Sequence, residues 1–208
     1  MNKILGLVFF CFLLNSNALA KSIKEFKIES IGIGDSALNY FNESEIEDSE
    51  LDWFNYSYKE YSTSLVPGKG IYDWFKISYK SNDENFIIEG LVGIVIKKDY
   101  DDDQCNKELD NSSLSISKIF KNIKARKKQF FKVDYNPRKI FQEPDPSGKS
   151  NVISVSFDFK DEGKIILSCY NMDNVTNSID SPIKDINQFD TFRIDIRSEF
   201  FKNYLKNN

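Results

Sequence analysis

The sequence predicts an α+β domain in two layers: a mostly antiparallel sheet with one long helix and short terminal helices packed on one face. Three patterns carry this expectation. Between Val152 and Phe159, the apolar Ile153, Val155, Phe157 and Phe159 alternate with Ser154, Ser156 and Asp158, the period of a strand with one wet face. Phe75, Ile77 and Tyr79 against Lys76, Ser78 and Lys80 repeat it, as do Phe192, Ile194 and Ile196 against Arg193, Asp195 and Arg197. From Asp101 to Lys128 the spacing turns helical, with Cys105, Leu109, Ser112, Ile116, Ile119, Phe120 and Ile123 on one stripe.

The remaining elements follow in chain order. Asp35 or Ser36 is placed to cap a short helix burying Leu38 and Phe41, and Ser44 with Glu47 matches a capping box for a further turn. Strands are expected from Trp53 to Tyr61 and from Ile71 to Lys80, around the turn Pro67-Gly68-Lys69-Gly70. Phe86 to Ile96 is apolar on both faces, which places it centrally. In the long helix, acids stand at the start and bases at the end, as the helix dipole favours. Lys164 to Tyr170 is a strand turned out of its predecessor by Asp161-Glu162-Gly163, and Ser198 caps a last helix carrying Phe201, Tyr204 and Leu205.

Met1 to Ala20 has a charged start at Lys3, an apolar run from Ile4 to Leu14 and the ending Ala18-Leu19-Ala20. That order is the one a cleavable signal peptide has, and the run is shorter than the roughly 20 residues a bilayer span needs. Cleavage before Lys21 would leave residues 21–208 as one domain with no transmembrane anchor, in the periplasm or secreted. Two cysteines then remain, Cys105 and Cys169. In an oxidising compartment an even pair implies a disulfide, and two separate buried thiols are the rival reading.

Composition excludes more than it assigns. The chain has no histidine, which removes Ser-His-Asp and Cys-His nucleophile systems, histidine metal sites and a histidine general base. Carboxylate-pair catalysis, a Ser-Lys dyad or no catalysis survive. A net charge of -4 argues against nucleic acid as a partner, because that binding needs a basic field. No cofactor motif is present: Ser147-Gly148-Lys149-Ser150 ends like a phosphate loop, but two prolines intervene and a strand follows it.

Three groups of residues could bear function. Lys121, Lys124, Arg126, Lys127, Lys128 and Lys132 crowd one stretch with Phe130, Phe131 and Tyr135 interleaved. That combination suits an anionic envelope surface or an acidic protein, although a solvated helix end whose aromatics pack inward is the simpler reading. Asp99, Asp101 and Asp103 have the alternate spacing that opens a calcium loop, but Gln104 stands where the turn needs glycine, so helix capping is the simpler reading. Asp158, Arg193, Asp195 and Arg197 share the sheet's polar face, where they would line a carboxylate or acid/base site or neutralise one another as cross-strand ion pairs.

The segment from Ile31 to Ile46, IGIGDSALNYFNESEI, and more loosely the Tyr79-to-Ile96 hairpin, resemble uncharacterised exported proteins of A+T-rich marine alphaproteobacteria. The resemblance implies a bacterial periplasm and brings no activity with it. The sequence thus points to an exported binding or adaptor domain without catalytic residues. A carboxylate-dependent hydrolase of a glycan or other envelope substrate, and a structural envelope component, are the alternatives.

Overall fold

A computed structural model describes residues 22–51, 59–97, 100–132, 149–172 and 190–207. The expected signal peptide and the Trp53 to Tyr58 part of the first expected strand lie outside these residues. The architecture is the α+β arrangement expected. Strands β1 (Lys27–Ile28) and β2 (Ile31–Gly32) form a small hairpin, and seven strands make the main sheet. These are β3 (Tyr61–Pro67), β4 (Trp74–Lys80), β5 (Gly90–Ile96), β6 (Gln129–Lys132), β7 (Asn151–Phe159), β8 (Gly163–Asn171) and β9 (Thr191–Ser198). The order across the sheet is β3-β4-β5-β9-β8-β7-β6, antiparallel at every step.

Two meanders therefore meet in the middle. The first, β3 to β5, runs inward from one edge; helix α2 (Asp102–Ile119) carries the chain to the other edge, and β6 to β9 run back until β9 pairs with β5. The expected central position of the Phe86–Ile96 segment is realised by β5, which has β4 on one side and β9 on the other.

The register sorts side chains into two faces. Phe75, Ile77, Leu91, Ile194, Ile196, Ile165, Leu167, Val155 and Phe157 lie in matched rows and are all buried in the main core. Against them pack Cys105, Leu109 and Ile116 of α2, Ile46 of α1 (Glu43–Glu47), and Ile23, Phe26, Ile28, Ile31 and Ile33 of the N-terminal segment. The alternate positions Tyr61, Leu65 and Ile94 form a second cluster with Leu51 and with Phe201 of α3 (Glu199–Asn207). So α3 returns over the reverse face of β3 to β5. Ser198 starts it as expected, its hydroxyl accepting the Phe201 N–H at 3.1 Å.

The helix ends sooner than its sequence spacing implied. Lysines and an arginine after Ile119 are compatible with helix, but Phe120 leaves helical geometry and is buried. Its ring stands 4.7 Å from Phe159 and 5.8 Å from Phe26. Burying an aromatic ring in that corner is worth roughly 2 kcal/mol, more than the few tenths that separate these residues' helix propensities. Residues 121–128 are consequently not helical, and Ala125 bridges Phe157 before β6 begins.

Smaller departures have similar causes. Strand β3 runs from Tyr61 to Pro67, past the expected end at Tyr61, with the Gly68–Gly70 turn after it. Ser36 does cap the turn Ala37–Asn39, accepting from the Leu38 N–H, but Leu38 is 41% exposed and only Phe41 of that pair is buried. The following helix is capped two residues earlier than expected, at Asn42 instead of Ser44, with the Glu45 carboxylate accepting from the Asn42 N–H at 2.8 Å. Within the Ile31-to-Ile46 segment, Asp35 accepts from Lys27 Nζ at 2.9 Å, Tyr40 OH at 2.8 Å and the Gly32 N–H at 2.9 Å. Burial works against its charge, but these donors hold its carboxyl below the usual range.

Cys105 at the start of α2 and Cys169 in β8 lie at disulfide distance, with Cα atoms 5.9 Å apart, and both are buried. Beside them Tyr100 OH donates to Glu108 at 2.7 Å, and Lys97 Nζ donates to the other Glu108 oxygen at 2.9 Å. Burial and this carboxylate push the Tyr100 phenol far above its ordinary pKa. A bond closing a separation of 64 residues stabilises by about 4 kcal/mol in the chain-entropy account. Mass spectrometry of the unreduced protein is expected to show no free thiol, and Cys105→Ala with Cys169→Ala should lower the urea midpoint; two alkylatable thiols in the untreated protein would contradict this.

Gly90 is a second constraint, because a Cβ there would lie 2.5 Å from the Phe201 ring. Gly90→Val is expected to cost about 1–3 kcal/mol by overpacking. Phe201→Ala in the same chain should recover part of that loss in a denaturation double-mutant cycle, whereas strict additivity would show that the two sites do not touch.

Candidate functional site

The basic stretch is brought to the sheet edge by the early end of α2. Lys121 and Lys124 follow that helix end, and Ala125 stands opposite Phe157 while Gln129 stands opposite Ser154. The 125–129 side thus carries one residue more than β7 between these points, a bulge that re-aims the side chains of Arg126 to Lys128. Arg126 is held over the sheet by an ion pair with Asp158, and its N–H donates to the Ser156 carbonyl at 2.8 Å. Lys128 turns the other way, to Asp110 at 2.8 Å and Asn106 Oδ1 at 3.0 Å on α2.

The six basic residues marked by sequence are therefore not equivalent. Lys121, Lys124 and Lys127 are exposed and make no ion pair among the described residues. Arg126 and Lys128 are engaged in ion pairs, and Lys132 is placed only by its backbone, opposite Asn151 in β6. Beside the lysines, Phe130 is 56% and Phe131 is 49% exposed. They are consecutive in a strand, so they present aromatic surface to opposite faces of the edge. Tyr135 lies outside the described residues.

The acids of the calcium spacing serve the helix. Asp101 is the N-cap of α2, its carboxylate accepting the Gln104 N–H at 2.7 Å while Gln104 Oε1 accepts the Asp101 N–H. Asp103 is exposed in the first turn, and Asp99 lies outside the described residues. Among the described residues no three His, Cys, Asp or Glu side chains gather as a metal site.

On the reverse face, the four polar residues of β7 and β9 pair differently from the cross-strand expectation. Arg197 is bonded to Asp195 two residues away on its own strand, Nε to Oδ2 at 2.9 Å. Burial opposes the Arg197 charge, but the Asp195 carboxylate outweighs it and leaves the guanidinium pKa raised. Arg193 is only 6% exposed, donates from Nε to Thr191 Oγ1 at 2.9 Å and lies over the Tyr170 ring at 3.7 Å. Asp158 and Asp195 stand on strands with β8 between them, so their backbones are roughly 10 Å apart before any offset along the strands. That is wide of the spacing at which a retaining carboxylate pair works.

Sequence reading did not single out Lys164. Its side chain stands in the row formed by Arg197 of β9, Lys164 of β8 and Asp158 of β7. The alternation of β8 shows that Lys164 is on the polar face and the β7–β8 turn sets it opposite Asp158, but its neighbour Arg197 follows only from the order β9-β8-β7.

Comparison with protein-family models, with curated proteins and with solved structures found no match. No helix among the described residues is long and apolar enough to cross a membrane.

Asp158→Asn releases an arginine that is already 65% exposed and should cost less than about 1 kcal/mol. Asp195→Asn leaves a partly buried guanidinium without its carboxylate and should cost about 1–3 kcal/mol. Urea denaturation of the two variants tests this order, and equal losses would refute it.

Proposed function

We propose that the chain is an exported, non-catalytic binding domain of the bacterial cell envelope that meets an anionic surface through its basic-aromatic edge. The carrying observation is the coincidence of exposed Lys121, Lys124 and Lys127, which make no ion pair among the described residues, with exposed Phe130 and Phe131 at one edge of an otherwise acidic protein. Lysine heads stay hydrated and act at long range, while aromatic rings add short-range apolar contact at a membrane or polymer interface. Paired cysteines at disulfide distance and the leader pattern of Met1 to Ala20 support the exported setting.

The enzyme alternative has less support. Asp158 and Asp195, the acids of the polar face, are each committed to an arginine, and their backbones stand wide for a retaining carboxylate pair.

Co-sedimentation with vesicles tests the reading. Binding to anionic vesicles is expected at low salt, with little binding to neutral ones, and should weaken as salt rises to physiological strength, where the Debye length is about 8 Å. Each basic side chain near such a surface contributes about 1 kcal/mol, so neutralising Lys121, Lys124 and Lys127 together should weaken binding on the order of 100-fold without unfolding the domain. Equal binding to both vesicle types, or none to either, would overturn the proposal.

A further inference from the structure

The reverse face of the main sheet carries a second concentration of positive charge, away from the exposed lysines of the edge. Lys164 sits at its centre, partly buried on β8, with Arg197 directly across on β9 and Asp158 directly across on β7. Each neighbour is already committed elsewhere: Arg197 to Asp195, and Asp158 to Arg126. The Lys164 ammonium, with three donors, makes no hydrogen bond or ion pair among the described residues.

The charges count as follows. Arg197 and Asp195 cancel, Arg126 and Asp158 cancel, and Lys164 is left as the surplus cation of its row, between two arginines; Arg193, further along the same face opposite Ser168, is turned to Thr191 and the Tyr170 ring. A half-sheltered ammonium in such a row is costly to keep unpaired, and a ligand bearing one negative charge would balance it. A dianion would face the two carboxylates as well, so the arrangement favours a single charge. Around the row, Ser156 and Ser168 and the partly buried Ile166 continue the same face, giving hydroxyl donors and an apolar floor beside the charge.

We propose that Lys164, flanked by Arg197 and Arg126, is the centre of a subsite for a singly charged oxyanion, a carboxylate or a phosphodiester group, on the reverse face of the sheet. Its electrostatics agree: burial lowers the Lys164 pKa, Asp158 opposes that shift, and Arg197 and Arg126 add to the lowering against a smaller counter-effect of Asp195. A bound anion would reverse that direction. The subsite uses none of Lys121, Lys124 or Lys127, so it stands apart from the edge proposed to meet an anionic surface.

The test is a titration of the full chain, isotope-labelled, with acetate and separately with dimethyl phosphate, exchanged for chloride at constant ionic strength. The expected result is a saturable shift of the Lys164 side-chain signal and of the Ile166 and Ser156 amides, with the Lys164 titration moved to higher pH. These saturable amide shifts should vanish in Lys164→Gln and persist in Lys164→Arg, both checked for fold by circular dichroism. Saturation with acetate but not dimethyl phosphate would assign a carboxylate, and the converse a phosphodiester. Non-saturating shifts, shifts equal at Lys164 and at exposed Lys121 and Lys124, or amide shifts undiminished in Lys164→Gln would overturn the proposal. Lys121→Gln/Lys124→Gln/Lys127→Gln should lose vesicle binding yet keep the titration, which separates failure of this subsite from failure of the edge.

Discussion

The pairing of β5 with β9 holds the two halves of the chain in one sheet. Seven residue pairs, from Gly90 opposite Arg197 to Ile96 opposite Thr191, join a meander that arrives from one edge to a meander that arrives from the other. Their register puts Leu91 beside Ile196 and Val95 beside Phe192 on the α2 side, and Ile94 beside Arg193 on the α3 side. A slip of one residue would turn every one of these side chains through the sheet. β5 is also pinched between layers: Gly90 meets Phe201 on one face, and a Cβ at Gly93 would come within 2.5 Å of the Tyr72 ring on the other. Small residues are required in this strand for both layers to close.

The same junction sets the chemistry of the reverse face. Placing β8 between β9 and β7 inserts Lys164 between Arg197 and Asp158, although Arg197 is far from both in sequence. The bulge before β6 completes the row by folding Arg126 onto Asp158. Because that bulge turns Arg126 onto Asp158 and Lys128 toward α2, the charge of the edge not engaged in these ion pairs falls to Lys121, Lys124 and Lys127. One extra residue thus divides a single run of bases between two surfaces.

Much of the fold was legible because period and burial agree. The alternations through β4, β7 and β9 and the α2 stripe from Cys105 to Ile116 name the buried residues, since each is a local pattern with one apolar face. Where a distant contact overrides local preference, sequence fell short. Phe120 continues the helical spacing, but Phe26 and Phe159, far away in sequence, draw it out of the helix. The basic stretch was visible as composition, yet which of its members face solvent depended on a bulge against β7 that no local signal announces. Lys164 shows the limit most clearly, because its neighbour Arg197 is defined by strand order. Asp158 and Asp195 could be placed on the polar face from sequence, but the strand that separates them could not.

The position of β9 also has a consequence in time. The last strand of the chain is the one that enters the middle of the sheet, so neither meander has its inner partner until residues 191–198 are available. A chain emerging from its N-terminus can form the hairpins of β3 to β5 early, since these are local, but β5 keeps an open edge through the whole synthesis of α2 and β6 to β8. Long-range pairings of this kind are slow to nucleate, and unpaired strand edges are where incomplete chains associate with one another. The fold therefore closes late and from its C-terminus. A truncated chain ending before Thr191 would lack the strand that joins its halves.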